Sequence, residues 1–225
     1  MDQVTIIDYG CGNIRSVFNA IRYCLSHKKR SFVVKVSKSL NDIEKSSHII
    51  LPGVGSFKSC LEGFHRTNGL YECLYKNVIN KKKPFLGICV GMQMLVSKGF
   101  EDGENDGFNW VSGKVKKIKP LNRSLKIPHI GWNTLTLKKK NRFIDLLHAD
   151  NSVVDKNREI NAYFVHSYSC VLENSNLEIF STNYDQEITA MIAKKNILGT
   201  QFHPEKSQNF GLKFLDTFLS WDGTE

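Results

Sequence analysis

The sequence predicts an α/β fold: a mainly parallel sheet flanked by helices, with additional antiparallel strands. Three observations carry that expectation. Short apolar runs alternate with amphipathic stretches through the first half, the pattern of a doubly wound sheet. The second half is richer in short strands. A glycine-bounded cysteine sits where a strand gives way to a helix, which suits a sharp strand-to-helix turn.

The elements follow in order. Val4–Tyr9 reads as a strand, and Asn13–Ser26 as a helix with Ile14, Val17, Phe18, Ile21 and Leu25 on one face. Phe32–Val36 and His48–Leu51 read as strands, and Glu62–Asn80 as largely helical. Pro84–Ile88 is a short apolar run after the polar stretch Asn80–Lys83 and reads as a buried strand. Met92–Val96 reads as the start of a helix. Strands are expected over Val111–Lys119, Trp132–Leu137, Asn161–Tyr168, Glu178–Tyr184, Thr189–Ala193 and Leu198–Phe202, with a closing helix over Phe210–Trp221. With no linker, repeat or low-complexity segment, residues 1–225 read as one domain.

The chemistry concentrates in two places. Gly87-Ile88-Cys89-Val90-Gly91 is a thiol version of the nucleophile elbow, whose central side chain is pushed outward. Small flanking residues relieve crowding at such a turn, and a helix N-terminus favours thiolate. Near the end, the strand Ile197–Phe202 leads into His203-Pro204-Glu205. In an extended segment His203 and Glu205 face the same side, so a carboxylate there orients an imidazole that accepts the thiol proton. A lone cysteine is usually buried and inert, and His-Pro-Glu alone is a common turn. Their coincidence is what points to nucleophilic catalysis.

The full motifs resemble a known family. Gly-Ile-Cys-Val-Gly-Met-Gln at 87–93, Leu-Pro-Gly-Val-Gly at 51–55 and Gln-Phe-His-Pro-Glu-Lys-Ser at 201–207 are similar to the class I (triad-type) glutamine amidotransferases. Ile-Asp-Tyr-Gly-Cys-Gly-Asn at 7–13, Pro-His-Ile-Gly-Trp-Asn at 128–133 and Tyr-Phe-Val-His-Ser-Tyr at 163–168 narrow the resemblance to glutaminase subunits of imidazole glycerol phosphate synthases and their close paralogues. The resemblance implies a flavodoxin-like fold and a Cys89–His203–Glu205 triad that hydrolyses glutamine to glutamate and ammonia. It implies oxyanion donors from Val90 and from the segment Gly53-Val54, and substrate contacts at Gly55, Gln93, Glu101, His166, Ser167 and Tyr168. By themselves Pro52-Gly53 reads as an ordinary turn, Gln93 as an exposed helix residue and 166–168 as plain strand.

The resemblance also implies a partner: a (β/α)8-barrel synthase that receives the ammonia, docked near Asn13, Trp132 and Lys206. The product would be imidazole glycerol phosphate, made in histidine biosynthesis. The stretch Ser97–Glu104 looks more like paralogues that feed ammonia, with a barrel partner, to a sugar amidotransferase in surface-polysaccharide synthesis. A non-catalytic binding subunit is a third reading, against which the intact Cys89, His203 and Glu205 argue.

Composition narrows the remaining classes. The net charge of +9 comes from Lys28-Lys29-Arg30, Lys81-Lys82-Lys83, Lys116-Lys117-Ile118-Lys119 and Lys138-Lys139-Lys140. No aromatic-interleaved basic motif accompanies them, so solvated turns and strand edges are expected rather than a nucleic-acid surface. Gly10-x-Gly12 fails as a dinucleotide fingerprint because Arg15 holds the third glycine position. The six cysteines form no CxxC pair and no metal-ligand spacing; no metal and no cofactor are expected. No run nears the ~20 apolar residues that span a bilayer, and Asp2 leads directly into Val4-Thr5-Ile6-Ile7 without a basic signal region. A reducing cytoplasm is the expected setting.

Overall fold

The computed structural model describes residues 2–26, 32–149 and 159–225. The first half alternates as its patterning demands: β1 (Asp2–Ile7), α1 (Ile14–Ser26), β2 (Phe32–Ser37), α2 (Leu40–Lys45), β3 (His48–Gly53), α3 (Phe57–His65), α4 (Leu70–Tyr75), β4 (Phe85–Cys89) and the single turn α5 (Val90–Gln93). There follow β5 (Val96–Gly99), β6 (Asn105–Asp106), β7 (Val111–Lys117), β8 (His129–Leu137), α6 (Arg142–His148), β9 (Ile160–His166), β10 (Tyr168–Leu172), β11 (Glu178–Asn183), β12 (Glu187–Lys194), β13 (Ile197–Thr200) and α7 (Gln208–Ser220).

Nine strands form one mixed sheet in the order β2-β1-β3-β4-β13-β12-β11-β8-β9. The pairings from β2 to β13 are parallel and those from β13 to β9 antiparallel. β3 and β4 are buried along their whole length, as apolar runs in the middle of a parallel sheet must be. α1 turns Val17, Ala20, Ile21 and Cys24 inward and packs with α7, which also meets α6; α4 gathers α2 and α3 into a second group. A smaller sheet, β10-β7-β5-β6, stands beside the first.

Four expectations need correction. The helix expected from Met92 to Val96 ends at Gln93, and Val96 opens a strand because its backbone pairs with Val111 of β7. A short apolar run does not distinguish helix from strand; the available partner decides. The helix expected over Glu62–Asn80 breaks at Gly69, whose left-handed φ of 75° separates α3 from α4, and its last residues, Lys76–Asn80, form a π turn. The strand expected over Asn161–Tyr168 ends at His166, and after the crossing at Ser167 Tyr168 opens β10 in the other sheet, a strand to Leu172 that was not anticipated. The extended geometry expected through His203 and Glu205 gives way to a 3₁₀ turn over Pro204–Lys206. α2, β5, β6 and α6 were not anticipated. The cluster Lys28-Lys29-Arg30 lies outside the described residues.

Candidate active site

The parallel strands β3, β4 and β13 run side by side and end together: Gly53 is in register with Cys89, and Thr200 with Ile88. The carboxyl ends of parallel strands are where α/β sheets hold their ligands. Cys89 closes β4 with φ 55° and ψ −110°, a conformation that non-glycine residues rarely adopt. The glycines around it are required by close approach. A Cβ on Gly91 would lie 1.9 Å from the Leu51 carbonyl oxygen, and one on Gly87 would lie 2.5 Å from that of Gly91. The elbow is therefore wedged between β3 and the turn that follows it. α5 is only one turn long, so what it offers the sulfur is nearby peptide N–H groups rather than an extended dipole.

A cavity of about 220 Å³ opens at this point, lined by Val54, Gly55, Cys89, Val90, Gln93, Glu101, Pro128, Val165, His166, Ser167, Tyr168 and His203. Ser167, the crossing point between sheets, carries the segment 166–168 along the cavity wall. Of the expected site residues, Gly53 stands behind the wall: a Cβ there would meet Gly91 N at 2.7 Å and Val90 Cβ at 2.9 Å. Gly55, with φ 120°, is on the wall, in a conformation glycine favours.

His203 and Glu205 are sealed from solvent, with Nδ1 of the imidazole 2.8 Å from the carboxylate Oε1. The backbone of His203 is pinned as well, its N–H donating to the Tyr163 carbonyl and its own carbonyl accepting from Ser207 Oγ. Burial alone would push the imidazole down. The Cys89 sulfur and the Glu205 carboxylate outweigh burial and raise it to about 10. Nε2 of His203 is buried and has no hydrogen-bond partner among the described residues, which leaves it as the ring nitrogen that exchanges a proton with the sulfur.

Other side chains set the shape of the cavity. Glu101 spends one carboxylate oxygen on the Phe57 N–H, 2.8 Å away at the start of α3. His166 uses both ring nitrogens: Nδ1 lies 2.9 Å from the Tyr168 carbonyl and Nε2 3.0 Å from Nδ1 of His129. Asn133 Nδ2 stands 3.2 Å from the far nitrogen of His129. Read from the carbonyl outward, each contact fixes the next tautomer: His166 carries its proton on Nδ1, His129 on Nδ1, and Asn133 donates. Burial keeps both rings uncharged at neutral pH, pushing His129 down to about 4 and His166 to about 3.

The residues expected at the partner surface meet around Tyr163. Trp132 is about half exposed and stands edge-on to the Tyr163 ring, centroids 6.0 Å apart. Lys206 Nζ lies 5.7 Å above the same ring. Asn13 precedes α1, which packs on the Pro204–Lys206 turn. Two features of the site escaped the sequence reading. Gln201 is buried beside Cys89, and the His129–Asn133 chain runs behind the cavity. Both lie within recognised motifs, but a buried polar residue on an apolar strand gave no signal of what it touches. Among the lysine clusters, Lys83 bonds the Ile43 and Glu44 carbonyls and Lys138 pairs with Glu187, which suits the structural reading of those charges.

The geometry defines a nucleophile-elbow site at the end of a doubly wound sheet. The model of the family "Glutamine amidotransferase class-I" matches residues 5–220, and the chain belongs to that family of enzymes. Within it, the chain is similar to the imidazole glycerol phosphate synthase subunit HisH of Pelagibacter ubique, at 42% identity over 97% of this chain and 99% of the relative. It is also similar to the subunit of the same name from Zymomonas mobilis, at 40% identity over 97% and 96%. Among solved structures, a glutamine amidotransferase is alike in fold at TM-score 0.63 and 15% identity, covering 96% of this chain and 98% of the other. One from Thermotoga maritima is alike at TM-score 0.55 and 17% identity, covering 97% and 83%. No helix among the described residues is long and apolar enough to cross a membrane.

Proposed function

We propose that this chain is the glutaminase subunit of an imidazole glycerol phosphate synthase, acting in histidine biosynthesis in the cytoplasm, and that residues 1–225 work as a single amidotransferase domain. The observation that carries the reading is the elbow: Cys89, in a rarely populated backbone conformation, opens into the same cavity as His203, whose other face is held by Glu205.

Cys89 attacks the side-chain carboxamide of glutamine. His203 takes the thiol proton through Nε2 and returns it to the leaving ammonia. Glu205 fixes the ring orientation and stabilises the imidazolium. Water then hydrolyses the thioester to glutamate. The tetrahedral oxyanion is met by the Val90 N–H and by the Gly53-Val54 peptide, each such donor contributing on the order of 3 kcal/mol. Gln93, Glu101 and the 166–168 segment hold the amino-acid end, with Gly55 leaving room for the backbone to turn.

The partner is a (β/α)8-barrel synthase that docks across Asn13, Trp132 and Lys206 and receives the ammonia. The identities with the HisH subunits over nearly the whole chain favour this pathway over surface-sugar amidation. Glutamate release, measured with the chain alone and with the co-expressed barrel subunit and its ligand, tests the reading. Strong activation by the partner, weakened by Lys206→Glu, is expected. Full activity in the isolated chain removes the case for a docked partner.

A further inference from the structure

β13 ends at Thr200, in register with Ile88. The next residue, Gln201, therefore arrives beside Cys89, wholly buried. Its Nε2 stands 3.5 Å from the Cys89 sulfur, and its Oε1 stands 2.9 Å from Gln93 Nε2. Gln93 Nε2 is also 2.9 Å from the Tyr168 carbonyl oxygen.

The two ends of a side-chain amide look alike, but here the chain of partners settles which end points where. A carbonyl oxygen only accepts, so Gln93 must turn its NH₂ toward Tyr168. The second hydrogen of that NH₂ meets Gln201, which must answer with Oε1. Only the NH₂ of Gln201 remains for the sulfur. Tyr168 accepts from His166 as well, so its oxygen is held from two sides and the direction of the chain is fixed at its origin.

We propose that Gln201 is a further catalytic residue, whose amide N–H donates to the Cys89 sulfur, aims it into the cavity and stabilises its thiolate. The proposal rests on the reading of Cys89 as the nucleophile. Before the attack the S–H bond breaks and its proton passes to His203 Nε2, so that the sulfur carries charge when it meets the carboxamide. The sulfur electron pair forms the C–S bond, and the C=O π pair moves onto oxygen. The Gln201 N–H holds the sulfur while it carries charge. A hydrogen bond to a charged group is among the stronger kinds, and this one is shielded from water.

Glu101 and Tyr168 share the cavity wall with the sulfur, and among the described residues the titratable groups that sense it are His203, with Glu205 behind it, and Tyr9, Cys60 and Cys170. Burial raises the last three, Cys170 to about 12, so they are uncharged at neutral pH. His166 faces the same cavity and is uncharged there too. His203 is thus the neighbour whose own titration enters a pH profile of the thiol.

The test is alkylation of Cys89 by iodoacetamide, located by peptide mass and followed as a function of pH, in the wild type and in the size-matched Gln201→Met. The variant midpoint should rise by about one pH unit, with alkylation about tenfold slower at neutral pH. A profile superimposable on the wild type in a folded Gln201→Met would overturn the proposal. Should that variant not fold, the wild type still decides. The Gln201 side-chain amide proton resonance should move through the alkylation midpoint and again on alkylation, and a resonance indifferent to both overturns the idea. Undiminished glutamate release by Cys89→Ser would instead sink the nucleophile reading itself. Glutamate release that needs Cys89, with an unchanged Gln201→Met profile, sinks only the role of Gln201.

Discussion

Nδ1 of His203 lies 2.8 Å from Oε1 of Glu205, and neither side chain is reached by solvent. The contact is made across the first residues of a 3₁₀ turn, with Pro204 between the partners. A buried carboxylate at that distance locks the ring so that only Nε2 faces the sulfur. Loss of the base itself should then cost more than loss of its support. His203→Ala should lower glutamate release by roughly 10²–10⁴-fold, and Glu205→Gln by less. Wild-type rates in His203→Ala would refute proton transfer by this ring.

The raised state of His203 has a separable cause. Burial lowers it; the Cys89 charge is the largest influence raising it, followed by Glu205, and the balance reaches about 10. Removing the sulfur should leave burial opposed by Glu205 alone. An NMR titration of the His203 ring should therefore give a clearly lower midpoint in Cys89→Ala than in the wild type. An unchanged midpoint would mean that the sulfur and the ring are not electrostatically paired.

The elbow glycines are a steric requirement. A methyl group on Gly91 would sit 1.9 Å from the Leu51 oxygen, which forces α5 away from β3. Gly91→Ala should lower thermal stability by the amount typical of overpacking, about 1–3 kcal/mol or more, and reduce Cys89 reactivity with it. A melting temperature equal to the wild type would show that the contact between α5 and β3 yields easily.

These examples mark what the sequence made legible. The elbow and the His203–Glu205 contact were readable because the chemistry expected of them calls for those residue types at fixed spacing, whereas the glycine-rich loop stood out only through the family resemblance. The parallel half was readable because β3 and β4 are continuous apolar runs. The helix expected over Met92–Val96 failed because a short, mostly apolar run fits either structure, and only the distant Val111 decides for a strand at Val96. The contact between His203 and Glu205 was expected for the wrong reason: the period of an extended strand does not apply, since a turn delivers the carboxylate. Gln201, His129 and Asn133 were invisible as a set because the groups that link them, Gln93, Tyr168 and His166, come from other elements distant in sequence.

The His129–His166 pair gives the fold an acid-sensitive seam. Both rings are buried and lie below the ordinary histidine value of 6.5, at about 4 and about 3. The unfolded chain, at the ordinary value, takes up these protons first as pH falls. The stability that the neutral pair contributes is thus fully present above about 6.5 and is lost as pH drops toward 3–4. Thermal melts across that window should fall less steeply in His129→Gln than in the wild type. Parallel curves would show that the pair is not what titrates.

The most direct measurement for the whole account is covalent labelling by a glutamine-analogue electrophile, paired with glutamate release in Cys89→Ser. The account predicts a single stoichiometric adduct on the peptide carrying Cys89, and no glutamate release once that sulfur is replaced by oxygen. A stoichiometric adduct on Cys11, Cys24, Cys60, Cys73 or Cys170, or glutamate release that survives Cys89→Ser, would contradict it.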